Sequence, residues 1–298
     1  MNYKNITIAG SGVLGYQIAF QSAFHGFHVT VYDINDDVLE KAKAKFNILS
    51  EAFKKDLNAS QQQIDQAGQN LSYTSNLAEA VKDADLLIEA VPENPAIKTD
   101  FYTKLAKVAP EKTVFATNSS TLLPSQFAES TGRPSKFLAL HFANNIWIHN
   151  TAEIMGHDTT DPKVFEDVVE FAKAIGMLAL PLHKEQPGYI LNSLLVPLLS
   201  AATRLLVTEV ADPQTIDKTW MKATGAPAGP FGILDVVGIT TAYNIDKMAA
   251  EKTQDELKIK TANYLKEHFI DKNKLGVSTG EGFYKYPNPA YKDPEFLK

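Results

Sequence analysis

Three kinds of side chain able to move a proton fall at intervals along the middle of the chain. They are hydroxyls in Asn118-Ser119-Ser120-Thr121, an imidazole in His141-Phe142-Ala143-Asn144 and a carboxylate at Glu153. An imidazole has the unperturbed pKa best suited to take a proton near neutral pH and return it. A carboxylate on the far ring nitrogen would fix the tautomer and stabilise the imidazolium, while a hydroxyl would clamp the reacting oxygen. His141 is therefore the candidate base and Glu153 its orienting partner. With 7 histidines in the chain, type alone cannot select one, but position can. His25, His28 and His183 sit at the ends of expected elements and His268 in a late helical stretch, whereas His141 directly follows the buried-type run Phe137-Leu138-Ala139-Leu140. His141, His149 and Glu153 together lack any familiar metal-ligand spacing, so no metal is expected.

The first forty residues indicate what such a proton shuttle would serve. Ile6-Thr7-Ile8-Ala9 reads as a strand that stops at Gly10-Ser11-Gly12-Val13-Leu14-Gly15, and a helix-compatible stretch follows from Tyr16 to Gly26. Gly10 permits a tight turn, Gly12 lets the backbone approach a pyrophosphate, and Gly15 lets the helix sit close to the strand. The helix start offers free N–H groups and a positive dipole end to phosphates. A second strand, His28-Val29-Thr30-Val31-Tyr32, ends at Asp33, where an acid can bind both ribose hydroxyls of an adenosine and repel a 2′-phosphate. No Arg stands in Ile34-Asn35-Asp36-Asp37 to reverse that preference, so NAD is the expected cofactor. Oxidation of an alcohol by NAD releases a proton as hydride leaves carbon, which gives His141 its task.

These residues must be positioned by a sheet. Further strand candidates at Asp85–Val91, Thr113–Thr117, Phe137–Leu140 and Met177–Leu180 alternate with helical stretches such as Ala96–Val108. That alternation implies an α/β fold with a doubly wound, mostly parallel Rossmann-type sheet. Ligands of such sheets sit beyond the carboxyl ends of the strands, which singles out Gly10–Gly15, Asp33, Val91–Glu93, Asn118–Thr121 and His141–Asn144. Residues 36–69 are rich in Lys, Gln and Ala and read as a helix or helical hairpin extending from the sheet, with Lys54 and Lys55 on a solvated face in preference to the alternative of meeting an anionic cofactor tail. After Pro187-Gly188 the pattern becomes all-helical, at Tyr189–Val210 and Pro213–Thr224, so a domain boundary is expected between 1–185 and 186–298. The run from Tyr189 to Leu199 is interrupted by Asn192, Ser193 and Pro197 and reads as a buried helix rather than a membrane span. A helix this apolar needs more cover than about a hundred residues supply, so a homodimer through the second domain is expected.

The bulk composition narrows the partners. The chain has 298 residues, 44% hydrophobic, enough for a sizeable core. A formal net charge of -6 leaves no basic surplus for a nucleic-acid backbone or an anionic membrane surface. There is no cysteine, which removes disulfides and thiolate chemistry, and Met1-Asn2-Tyr3-Lys4 leads directly into a strand without a secretory apolar region. The expected compartment is the cytoplasm.

Taken together, seven separated segments resemble the 3-hydroxyacyl-CoA dehydrogenase family, which uses NAD to interconvert L-3-hydroxyacyl and 3-ketoacyl thioesters. They are the Gly10–Gly15 turn, Val91-Pro92-Glu93-Asn94, Asn118-Ser119-Ser120, His141-Phe142-x-Asn144, Pro187 to Asn192, Gly229-Pro230-Phe231 with Asp235 and Gly238, and Thr279 to Tyr284. The resemblance implies that His141 is the general acid/base, Glu153 its partner, and Ser120 and Asn192 hydrogen-bond donors to the reacting substrate oxygens. Ser120 rather than Ser119 matches the family serine by its interval to the histidine, 141 − 120 = 21. The resemblance also implies that Glu93 and Lys98 line the cofactor ribose and nicotinamide and that Asn144 lies near the nicotinamide, with Val91 and Asn118 on the same cofactor edge. Two positions depart from the family pattern: Asn145 stands where a proline is usual and Ala143 where a second Phe is usual. With Ile146-Trp147-Ile148-His149-Asn150-Thr151, this variant is similar to a bacterial subgroup that includes diketoreductases, so the implied small-molecule substrate is a 3-hydroxyacyl-CoA or, alternatively, a non-CoA β-keto or β,δ-diketo ester. A non-catalytic NAD(H)-binding protein is the third reading, against which the complete Ser120, His141, Glu153 and Asn192 set speaks.

Overall fold

Short aliphatic runs bounded by Gly, Asp and Pro form eight strands in the first of two units, Met1–Ile190; the computed structural model describes residues 1–298, and the second unit is Leu191–Lys298. The strands are β1 (Asn5–Ala9), β2 (His28–Tyr32), β3 (Leu71–Thr74), β4 (Leu86–Glu89), β5 (Val114–Thr117), β6 (Phe137–Phe142), β7 (Thr151–Met155) and β8 (Leu178–Leu182). They lie in the order β3-β2-β1-β4-β5-β6-β7-β8, and every neighbouring pair is parallel except β6 and β7. The expected strands are all present. β3 and β7 were not among them: Leu71-Ser72-Tyr73-Thr74 is a half-buried edge, and β7 carries Glu153 at its centre, so neither shows an unbroken apolar run. The central strands are buried on both faces, as Leu86-Leu87-Ile88-Glu89 illustrates, because helices cover the sheet from either side.

Those helices are α1 (Gly15–Phe24), α2 (Asp36–Leu57), α3 (Gln61–Gln69), α4 (Leu77–Val81), α5 (Pro95–Val108) and α6 (Pro162–Ala174). The lysine- and glutamine-rich stretch forms the expected hairpin, α2 and α3. Asn35 caps α2 by accepting from the Val38 amide, Asn58 ends it in the left-handed conformation, and a capping box at Ser60 and Gln63 starts α3. The hairpin does not project freely. Its apolar stripe of Leu39, Ala42, Phe46, Leu49 and Phe53 joins the main core, with Phe53 edge-on to Phe20 of α1 at 4.8 Å. Full burial of a phenylalanine such as Phe53 contributes about 1.5–3 kcal/mol. Lys54 is half-buried and pairs with Glu51 one turn earlier.

The second unit is all-helical apart from short 3-10 turns, with α7 (Tyr189–Val207) entering it from the first, then α8 (Pro213–Thr224), α9 (Pro230–Val237), α10 (Ile239–Thr253) and α11 (Glu256–His268). Its two apolar clusters centre on Phe231 with Met221 and Tyr284, and on Leu234 with Leu199, Leu265 and Phe269. The division falls at Ile190–Leu191, five residues beyond the expected boundary, because Tyr189 and Ile190 are hydrogen-bonded into the first unit. Within one chain the α7 helix, expected to be buried, is largely uncovered. Only 22% of its most apolar window is buried, and Leu194 is 70% exposed. By length and composition alone α7 could also cross a bilayer, with Arg204 as its one charged residue.

Candidate active site

The order reversal of the sheet lies between β1 and β4, and the glycine turn after β1 sits there. Gly10 has φ +98°, and a Cβ on it would lie 2.6 Å from the Ala90 carbonyl oxygen at the end of β4. A Cβ on Gly15 would collide with the Gly10 carbonyl oxygen. A Cβ on Gly12 would meet nothing within 4 Å, so this backbone faces open space. Two glycines thus close the turn and the middle one leaves it bare, which fits a dinucleotide pyrophosphate at the start of α1. Val13 is exposed and Leu14 half-buried on the same turn. Asp33 lies half-buried just after β2, where its Oδ2 accepts from the Ser11 amide at 2.7 Å and the Ser11 hydroxyl at 2.6 Å. The acid is thereby held against the turn, in place for a ribose.

At the other side of the carboxyl edge, antiparallel pairing puts His141 of β6 directly opposite Glu153 of β7. Directly opposed residues project to the same face with neighbouring Cβ atoms. Here the imidazole Nδ1 lies 3.1 Å from Glu153 Oε2, with the histidine 5% and the glutamate 3% exposed. An ionised carboxylate only accepts, so opposite one Nδ1 would carry the hydrogen and leave Nε2 for a reacting group. The other oxygen, Oε1, accepts from the Ile190 amide at 2.9 Å. Asn118, at the end of β5, accepts from the Phe142 amide at 3.0 Å and locks the ends of β5 and β6 together.

The serine loop is held from below. Glu93 Oε1 accepts from the Ser119 hydroxyl at 2.5 Å, the Ser120 and Thr121 amides at 3.0 Å and the Thr121 hydroxyl at 3.0 Å. The Ser119 hydroxyl is thus consumed, whereas the half-exposed Ser120 hydroxyl makes no bond within the protein. The structure therefore separates the two serines in the same sense as their spacing. Burial alone would push the Glu93 carboxyl up, but the Ser119 hydroxyl, the Lys98 ammonium and Thr121 outweigh it and hold it below the ordinary glutamate range.

Lys98, which the resemblance groups with Glu93 at the cofactor ribose and nicotinamide, is 1% exposed, with its ammonium 2.6 Å from Glu89 and 3.4 Å from Glu93. It braces Glu93 from within the fold. Glu89, fully buried at the end of β4, also accepts from the Tyr102 hydroxyl, the Thr117 hydroxyl and the Val91 amide. Sequence reasoning missed Glu89; its signal was a lone carboxylate closing an otherwise apolar strand. Asn144 is exposed just beyond β6. Asn145 has φ +59° and its amide donates to Gln17 Oε1 at 2.8 Å, a conformation and a bond that a proline there could not provide. Asn192 belongs to the second unit, in the first turn of α7.

Tyr189 was also missed, although it stands inside a recognised segment. Its ring stacks on the His141 imidazole, with centroids 4.4 Å apart and planes 15° from parallel. Its hydroxyl donates to the Ser119 carbonyl oxygen at 2.8 Å. Burial, with Glu93 and Glu153 nearby, pushes this phenol far above its ordinary value, so it remains a donor. The residue holds φ +55°, a left-handed conformation that costs a non-glycine residue about 1–2 kcal/mol.

Comparison with known proteins agrees with this architecture. Residues 5–186 match the family described as 3-hydroxyacyl-CoA dehydrogenase, NAD binding domain, and residues 188–286 match its C-terminal domain. The human mitochondrial hydroxyacyl-coenzyme A dehydrogenase is 33% identical over 289 residues, covering 95% of this chain and 91% of that protein. A probable 3-hydroxybutyryl-CoA dehydrogenase of Bacillus subtilis is 29% identical, covering 96% and 98%. A solved structure described as showing substrate-directed dual catalysis of dicarbonyl compounds by diketoreductase is 57% identical, covers 96% of this chain and 100% of that one, and superposes with a TM-score of 0.91.

Proposed function

Because the chain belongs to the 3-hydroxyacyl-CoA dehydrogenase family, and so is an NAD-dependent oxidoreductase acting on CH–OH, we propose that it interconverts an L-3-hydroxyacyl-CoA of the 3-hydroxybutyryl type and the corresponding 3-ketoacyl-CoA. The observation that carries this reading is the buried His141–Glu153 pair, opposed in register on the same sheet edge as the glycine turn. Gly10–Gly15 and Asp33 would hold the pyrophosphate and ribose of NAD, which would supply the hydride acceptor for C3 in oxidation and, in its reduced form, the donor. His141 Nε2 takes the C3 hydroxyl proton in oxidation and gives it back when the ketone is reduced. Glu153 holds Nδ1–H and balances the imidazolium that forms. The free Ser120 hydroxyl donates to the reacting oxygen, and we assign Asn192 the second donor on its position in the family motif. Glu93, kept ionised, holds the serine loop at the cofactor edge with Asn118, Val91 and Asn144.

A second reading, reduction of a β-keto or β,δ-diketo ester without CoA, is favoured by the diketoreductase likeness and by the left-handed Asn145 that reroutes the chain after His141. NADH oxidation with acetoacetyl-CoA and with the matching keto ester decides between them. A thioester rate well above the ester rate supports the first, the reverse supports the second, and binding of NADH with no turnover on either removes both. Running the same assay with NADPH checks Asp33: a faster NADPH rate overturns the NAD preference.

The uncovered apolar face of α7 supports a homodimer, with a second copy rather than lipid over Leu194. Light scattering giving a monomer of 32.8 kDa would remove that assignment.

A further inference from the structure

We propose that Tyr189 is the positioning residue of the proton-transfer site, with its ring holding the plane of His141 and its hydroxyl holding the turn that presents Ser120. The inference rests on the reading of His141 and Glu153 as the acid/base pair and adds a residue with no assigned role. Four observations converge on this side chain. Its ring lies flat on the imidazole at 4.4 Å and 15°. Its hydroxyl donates to the Ser119 carbonyl oxygen at 2.8 Å, on the residue before Ser120. The next amide, Ile190 N–H, donates to Glu153 Oε1 at 2.9 Å. Its backbone keeps a left-handed φ of +55° after Gly188 at φ +80°. A strained conformation persists only where its surroundings over-determine it, and such residues cluster at sites where geometry matters.

The physical need is specific. The bond from Nδ1 to Glu153 fixes one ring nitrogen but leaves the imidazole free to swing about it. A flat, buried aromatic ring on one face removes that freedom, so Nε2 stays aimed along one direction. The hydroxyl ties the same residue to the serine turn, so the base and the donor to the reacting oxygen share one anchor. Ser119 is then gripped from two sides, with its hydroxyl on Glu93 and its carbonyl on Tyr189. Small losses of alignment at such a site are costly, since a displacement near 1 Å can lower a rate by about 10²-fold.

Y189L, Y189F and H141Q in the full chain test this, read as kcat, KM for the better keto substrate, NADH Kd by fluorescence, and Tm. Loss of the ring in Y189L is expected to lower kcat by about 10- to 100-fold with NADH Kd changed less than about threefold. Y189F, which keeps the stack, should recover most of that loss. Equal losses in kcat and NADH affinity, a Y189L rate within about threefold of the parent, or a Y189F rate no better than that of Y189L would each overturn the proposal. Should Y189L fail to fold, the proton spectrum of the parent decides. The imidazole signal that disappears in H141Q must show an upfield ring-current shift, and this shift must survive in Y189F; a signal at its ordinary position overturns the stack. If H141Q itself retains the parent rate, the acid/base reading fails independently. If H141Q is inactive and Y189L is not, only the role of Tyr189 fails.

Discussion

Both units bury carboxylates among backbone amides, but they hold them in different ways. In the first unit Glu89 faces the Lys98 ammonium as well as two hydroxyls and an amide, and Glu93 above it is held below its ordinary pKa. In the second unit Asp217 accepts from the Phe231 and Gly232 amides and the Tyr284 hydroxyl. Asp235 accepts from the Phe283 and Tyr284 amides and the Tyr286 hydroxyl, and neither aspartate has a cation. Burial consequently outweighs their hydrogen bonds and raises both carboxyls above the ordinary aspartate range. Asp217 closes the start of α9 and Asp235 pins the segment of Phe283 and Tyr284 to it, with Gly229 and Gly282 leaving room that a Cβ would fill. A carboxylate that must stay charged beside a reacting site is given a cation; one that only gathers amides needs none.

The largest expected effect lies in the first unit. H141Q should lower kcat by roughly 10²–10⁴ with NADH binding and Tm retained, because the change touches proton transfer and not the support beneath it. An unchanged rate would take His141 out of the mechanism. Next comes K98M, which strands the Glu89 charge in the sheet and should destabilise the chain by about 3–5 kcal/mol in urea unfolding. D217N keeps the shape of the side chain but turns an NH2 toward one of the donors that the carboxyl oxygens accept from, for a cost of about 1–3 kcal/mol. A D217N cost equal to or above that of K98M would break the comparison.

The smallest effects are in pH dependence, and they differ in sign. Glu93 has a lowered folded-state pKa, so its contribution is present at neutral pH and is lost as pH falls through that lowered value. Asp235 has a raised one, so the folded chain holds its proton more tightly. Its contribution is present in acid and is lost as pH rises from the unfolded value through the raised one. In stability measured against pH, E93Q should remove a rise and D235N should remove a fall. The same sign for both would show that the cation does not distinguish the two regions.

Much of this was readable in the residues. Gly10, Gly12, Gly15 and Asp33 carry their roles in local geometry, since each answers a constraint set within one strand, turn and helix. The strands that were legible are short apolar or β-branched runs, and the hairpin at 36–69 shows in its Lys-, Gln- and Ala-rich composition. β7 was hidden because Glu153 interrupts its apolar pattern, yet that interruption is the residue that meets His141. The pairing of Lys98 with Glu89 was hidden because a lysine at the start of a helix looks the same whether it faces solvent or a buried acid. The α7 helix was expected to need more cover than its own unit supplies, because composition records the amount of cover a helix needs but not what provides it.

The sequence alone settled the alternation of strand and helix, the dinucleotide turn and the family, because those depend on near neighbours and on the order of residues. Only the tertiary structure decided that His141 and Glu153 share a register, that Glu89 stands under Lys98, and that Tyr189 lies flat on the imidazole. The physical reason is separation along the chain. A contact between residues distant in sequence is set by strand order, register and the packing of whole elements, and no local pattern of residue types records these.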